Sequence, residues 1–129
     1  MPNRFRDWHR QAEADLRHAR HALEDGDFDW GCFAAQQAAE KAIKAVFLKH
    51  GMDAWGHTTT TLLGQLGTVA DVPDELINAA KRLDKHYIPT RYPNGFESGA
   101  PVDFYTREET ERAIQDAETV LEFCANQID

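Results

Sequence analysis

Apolar side chains recur along almost the whole chain at steps of three and four residues, and nowhere do they alternate in twos. That spacing stacks them on one face of a helix, whereas a half-buried strand needs a period of two. From Arg4 to Asp25 the stripe is Phe5, Trp8, Ala12, Leu16, Ala19 and Leu23. From about Phe28 to His50 it is Cys32, Ala35, Ala39, Ile43 and Val46, widened by Phe33, Phe47 and Leu48. Gly26 can end the first helix in a left-handed conformation, Asp27 or Asp29 can cap the second, and Gly51 stops it. Two antiparallel helices joined by a tight turn are predicted.

Further along, Leu62, Leu63 and Leu66 predict one short helix ending at Gly67. Pro73 followed by Asp74 and Glu75 starts another by proline geometry and dipole sign, and Leu76, Ala79, Ala80 and Leu83 carry it to about Tyr87. Thr106 and Glu109 form a capping box for a last helix marked by Ala113, Ile114, Ala117, Val120, Leu121, Cys124 and Ile128. Between Ile88 and Tyr105, Pro89, Pro93 and Pro101 with Gly95 and Gly99 predict an irregular segment, which is either a functional ordered loop or a plain connector. The expected fold class is all-α, an antiparallel four-to-five-helix bundle, and 129 residues fit a single domain over 1–129.

Charge narrows the function classes. With 22 acidic residues against 14 basic the net charge is −8, which argues against an indiscriminate nucleic-acid coat. No apolar run approaches the roughly 18 to 20 residues needed to cross a bilayer, and Met1 to Arg10 is polar, so no membrane association and a cytoplasmic location are expected. Cys32 and Cys124 fit neither a zinc nor a redox spacing and read as reduced core thiols. Asp15, His18 and His21 share a helical face, but no ExxH partner helix accompanies them, and neither a metal site nor a cofactor is expected.

Against the acidic background stand two basic islands, Lys41, Lys44 and Lys49 on the second helix and Lys81, Arg82, Lys85 and Arg91 further on. If the fold joins them they make an anion pocket; otherwise they are solvated faces. Arg91 suits phosphate through its planar fork and Lys85 as a mobile point charge, with Tyr87 and Tyr92 available to stack on a base. Gln36, Glu40 and Lys44 follow at steps of four beside Gln37 and Lys41, a polar ridge that reads either as surface decoration or as a subunit interface.

Three segments together resemble one family: AAQQAAEKAIKA from Ala34 to Ala45, His57 after a glycine, and LDKHYIPTRYPNG from Leu83 to Gly95. In order, and across nearly the whole chain, they resemble the HEPN domain. The resemblance implies an all-helical domain, commonly a homodimer, whose name refers to nucleotide binding. Many HEPN domains are ribonucleases carrying Arg, then four to six residues, then His near the last helices. Here His86 follows Arg82 with only three residues between, no histidine follows Arg91, and the Arg4 to His9 spacing lies on the first helix. Metal-independent RNA cleavage needs a proton-moving group beside a cation, so half of that apparatus is missing.

The chain looks more like the branch with the RYP loop, for which the resemblance implies a binding or accessory role, often beside a small nucleotidyltransferase. The expected function is therefore a non-catalytic, dimeric module that holds a nucleotide or RNA phosphate through Arg91, Lys85, Lys41 and Lys44, with Tyr92 or Tyr87 as stacking platform and His57 nearby. Two alternatives stay open. One is a toxin-like, metal-independent ribonuclease using His57 or His86 with Arg91, and the other is a purely structural partner subunit.

Overall fold

A computed structural model describes residues 3–129; Met1 and Pro2 lie outside the described residues. The described residues form six α-helices: α1 (Phe5–Asp25), α2 (Phe28–Lys49), α3 (Thr59–Leu66), α4 (Asp74–Asp84), α5 (Pro101–Phe104) and α6 (Arg107–Ile128), with a 3-10 turn at Pro93–Gly95. No strand occurs among the described residues. The sixth helix beyond the expected bundle is the single turn α5, started by Pro101 and held where the Asp103 carboxylate accepts the backbone N–H of Ala100 at 2.9 Å.

The α1–α2 turn closes as the glycine predicts. Gly26 takes φ 79°, and the N–H groups of Gly26 and Asp27 return to the carbonyls of Leu23 and Ala22. Asp27 occupies the cap position of α2 but its side chain makes no capping bond. The two acids therefore support that helix end through charge alone. The final capping box forms as expected, with Thr106 Oγ1 accepting from the Glu109 N–H and the Glu109 carboxylate accepting from the Thr106 N–H.

Helix α2 runs through the centre, packed most extensively on α1 and α6 and also touching α3, α4 and α5. Its alanines at 35, 38, 39, 42 and 45 are fully buried and bring neighbouring backbones close, while Ile43 and Phe47 fill the interior with Leu62, Leu63, Leu66, Leu76 and Leu83. Each of these large side chains contributes roughly 1.5–3 kcal/mol by leaving water. Gly31 marks the tightest approach: a Cβ there would lie 2.5 Å from Thr110 Cγ2 and 3.5 Å from both Ala19 O and Ala22 Cβ. Only glycine admits α6 and α1 so close.

Helix α4 stops at Asp84 rather than near Tyr87, where the backbone passes into i→i+3 turns, and the Asp84 carboxylate serves another helix. It accepts from the N–H and Oγ1 of Thr59 at 2.7 and 2.6 Å and from the N–H and Oγ1 of Thr60 at 3.0 and 2.6 Å, capping α3 from 25 residues away. Short turns then replace the helix: His86 N–H donates to Leu83 O, Tyr87 N–H to Asp84 O and Arg91 N–H to Ile88 O. Buried Thr90 locks the run by donating from Oγ1 to His86 O at 2.6 Å. No helix among the described residues is long and apolar enough to cross a membrane.

Candidate functional site

The turns after α4 deliver Tyr87, Arg91 and Tyr92 onto the flank of α2. There the Arg91 guanidinium lies over three rings, 4.5 Å from the centroid of Phe33, 4.7 Å from Tyr87 and 5.1 Å from Tyr92. Its Nε donates to Tyr87 O at 3.0 Å. Each cation–π contact is worth about 0.5–2 kcal/mol, so the side chain is held without a counter-charge. No carboxylate lies within ion-pair reach of Arg91 among the described residues. Phe33 is itself braced edge-on by Trp30 at 5.9 Å and leans on Tyr87 at 6.2 Å.

His57 completes the cluster, stacking on Tyr87 with centroids 4.7 Å apart. Its Nδ1 lies 3.0 Å from Glu40 Oε2, and its backbone carbonyl accepts from Gln36 Nε2 at 3.1 Å. Glu40 is only 4% exposed and also receives Gln36 Nε2 at 3.3 Å, Gln37 Nε2 at 3.4 Å and Lys44 Nζ at 2.9 Å. The polar ridge of α2 is therefore an interior network, and its buried carboxylate is satisfied from four sides.

The structure brings His57, Tyr87, Arg91 and Tyr92 together, and Lys44 stands behind them through Glu40. Lys41 is elsewhere, in an ion pair with Asp15 of α1. Lys85 lines a separate cleft of about 520 Å³ between α4 and α6, with Arg82, His86, Glu108, Glu109 and Asp116. The two basic islands thus do not merge into one pocket. Arg82 is committed to Asp116 by two hydrogen bonds of 2.8 and 2.9 Å, which raise its pKa further. Asp84, with its carboxylate spent on α3, leaves Arg91 alone.

His86 sits edge-on to Tyr105 at 5.7 Å, with Nδ1 enclosed and without a hydrogen-bond partner. Burial lowers its pKa, opposed by Glu109 and Asp116 and reinforced by Lys85. Burial likewise pushes the Cys32 thiol up to about 12 and Cys124 higher still, so neither is a thiolate nucleophile. Among the described residues no group of three or more His, Cys, Asp and Glu is placed to hold a metal ion.

Chemically the cluster can offer an anion the outer N–H groups of a fixed guanidinium, beside a half-exposed tyrosine ring. Tyr87 has His57 against it and Arg91 over its ring, so the face left for stacking belongs to Tyr92, 48% exposed. Phe33, Gln36 and Glu40 are members of the site that residue-by-residue reasoning about the basic islands missed. The available signal was their position one to two turns apart on α2, opposite the loop.

A family model described as the HEPN domain matches residues 5–127. A protein of Methanocaldococcus jannaschii named "Putative toxin MJ1304" is 30% identical over 122 residues, 88% of this chain and 80% of its own length. Among crystal structures, TT1696 from Thermus thermophilus matches with a TM-score of 0.95 at 49% identity, covering 98% of this chain and 99% of that one. ST0689, described as an archaeal HEPN homologue, matches at 0.84 and 35% identity over 100% of both chains. A HEPN domain protein from Thermotoga maritima matches at 0.77 and 41% identity, covering 93% of this chain and 95% of its own.

Proposed function

This chain belongs to the HEPN domain family, and from that premise we propose that it is a single-domain, non-catalytic HEPN-type module that binds a nucleotide or RNA phosphate at Arg91. The observation that carries the reading is the guanidinium itself, pinned on three aromatic rings with Nε committed to Tyr87 O and no carboxylate in reach among the described residues. A cation so held keeps its outer N–H groups for a ligand, and its planar fork matches two phosphate oxygens. Tyr92 supplies the adjoining ring for a base, and Pro89 and Pro93 stiffen the segment so that less entropy is lost on binding. In this reading His57 flanks the ligand and Tyr87 is the platform under Arg91, Lys44 acts through Glu40, and Lys41, paired with Asp15, and Lys85, in the cleft beside α6, stand outside the site.

The module works as a homodimer in the cytoplasm. Trp30, Ile88, Val102 and Phe104 are all close to half exposed or more, and a second copy would remove that apolar surface from water. A small nucleotidyltransferase is the partner that the resemblance of the RYP loop implies, and the toxin name of the Methanocaldococcus relative supports a two-component module. A second reading is a toxin-like, metal-independent ribonuclease using His57 or His86 with Arg91, of which the shared contact of His57 and Arg91 with the Tyr87 ring favours His57.

Titration with nucleotides and a short oligoribonucleotide tests the proposal. Affinity lost in Arg91→Ala while the melting temperature falls by only a few degrees supports it. Cleavage of RNA in the presence of a chelator, abolished by Arg91→Ala, would replace it with the ribonuclease.

A further inference from the structure

The outer face of α1 carries a second constellation, and it goes beyond the Arg91 reading. Asp7, Arg10, Ala14 and Arg17 follow at steps of three, four and three on one stripe of that helix, lining a groove of about 780 Å³ that Lys41 of α2 also borders. Ala14, the smallest of these side chains, leaves the hollow between the two arginines. Lys41 is neutralised by Asp15 and Arg4 by Asp7, but Arg10 and Arg17 have no carboxylate within ion-pair reach among the described residues. In a chain of net charge −8, two uncommitted guanidinium groups on one helix face form a local positive field.

Trp8 borders this groove and also a smaller pocket of about 240 Å³, whose other walls include Leu48, Met52, Ala54 and Trp55. Trp8 is 38% exposed and Trp55 82%. An apolar pocket flanked by tryptophans and continued by arginines is the composition that concentrates binding energy at protein interfaces.

We propose that this face docks an acidic segment of a partner protein, with one large apolar side chain seated between Trp8 and Trp55 and carboxylates on Arg10 and Arg17. Charge complementarity selects the occupant. The two arginines are about 10.5 Å apart along the helix axis, so a partner helix lying alongside meets both with carboxylates seven residues apart. Its apolar anchor falls past the Arg10 end, where Trp8 meets the last turn of α2. A nucleic-acid strand suits the face less well, because Asp7, Glu13 and Asp53 line the same two cavities and would oppose evenly spaced phosphates. A peptide places neutral residues opposite those carboxylates.

The test is selection of a randomised helical-peptide display library against the full-length protein, with an oligouridine titrated in parallel. Enriched sequences should carry two acids seven residues apart and one large apolar residue. An enriched peptide made synthetically should bind at least roughly tenfold more weakly to the Arg10→Glu, Arg17→Glu double variant and to Trp55→Ala, at unchanged melting temperatures. No enrichment, or binding insensitive to these variants, would overturn the proposal. So would oligouridine binding lost in the double variant, which would make this a nucleic-acid face, or a changed molecular mass of that variant, which would make it a contact between copies. None of these outcomes bears on Arg91, whose nucleotide affinity is measured separately.

Discussion

The imidazole of His57 lies parallel to the ring of Tyr87, their centroids 4.7 Å apart and their planes 15° from parallel. One comes from the link between α2 and α3 and the other from the turns after α4, and Glu40 of α2 holds the first in place. The buried carboxylate is thus joined to the Arg91 cage through a single stacked pair.

Glu40→Ala should therefore act twice. Removing the carboxylate leaves Lys44, 15% exposed at its side chain, and Gln36, fully buried, without their shared acceptor, at a cost of roughly 3 kcal/mol. It also frees His57 from one side, so ligand affinity at Arg91 should fall as well. Glu40→Gln retains an acceptor oxygen and should lose less stability. Chemical denaturation of the two variants checks the order, and equal, small losses would show that the network contributes little.

Asp84 carries four hydrogen bonds to the first turn of α3. Asp84→Ala should destabilise the protein by roughly 2–3 kcal/mol, since it strips a charged cap from two backbone N–H groups and two hydroxyls. Asp84→Asn should recover part of this. Hydrogen exchange at the amides of Thr59 and Thr60 should accelerate in Asp84→Ala by more than at α6, and uniform acceleration would assign the loss elsewhere.

The helices and their faces were legible because burial on one side leaves a period in the sequence, and Gly26 and the Thr106–Glu109 box announced two helix ends by local chemistry alone. Asp84 was not legible as a cap, since its partners stand 25 residues away and only the tertiary fold brings them near. The same holds for Glu40, because a Glu–Lys pair at a step of four looks alike on an exposed helix and on one surrounded by neighbours. Arg91, Tyr87, Tyr92 and His57 were nameable in advance, whereas Phe33 looked like ordinary core, and nothing local distinguished Arg91 from Lys85 by what each would face.

The pH dependence of stability should carry a His86 component of known sign. Burial holds its folded pKa below the ordinary value of 6.5. As pH falls through that value the unfolded chain takes up a proton that the folded chain does not, so stability is lost between the unfolded and the folded pKa and is intact above both. His86→Phe removes that term while keeping the contact with Tyr105. The melting temperature of the variant should fall less steeply than that of the wild type as pH drops below about 6.5; parallel curves would contradict the assignment.

In the proposed function Arg91 is a ligand contact held on aromatic rings rather than a structural cation. Isothermal titration of nucleotide and oligoribonucleotide into wild type, Arg91→Lys and Arg91→Ala, with melting temperatures measured on the same samples, tests it most directly. Affinity should fall in that order, with Lys intermediate because an ammonium cannot reproduce the bidentate fork, while the melting temperature moves by only a few degrees. Unchanged affinity together with a large fall in melting temperature would contradict it.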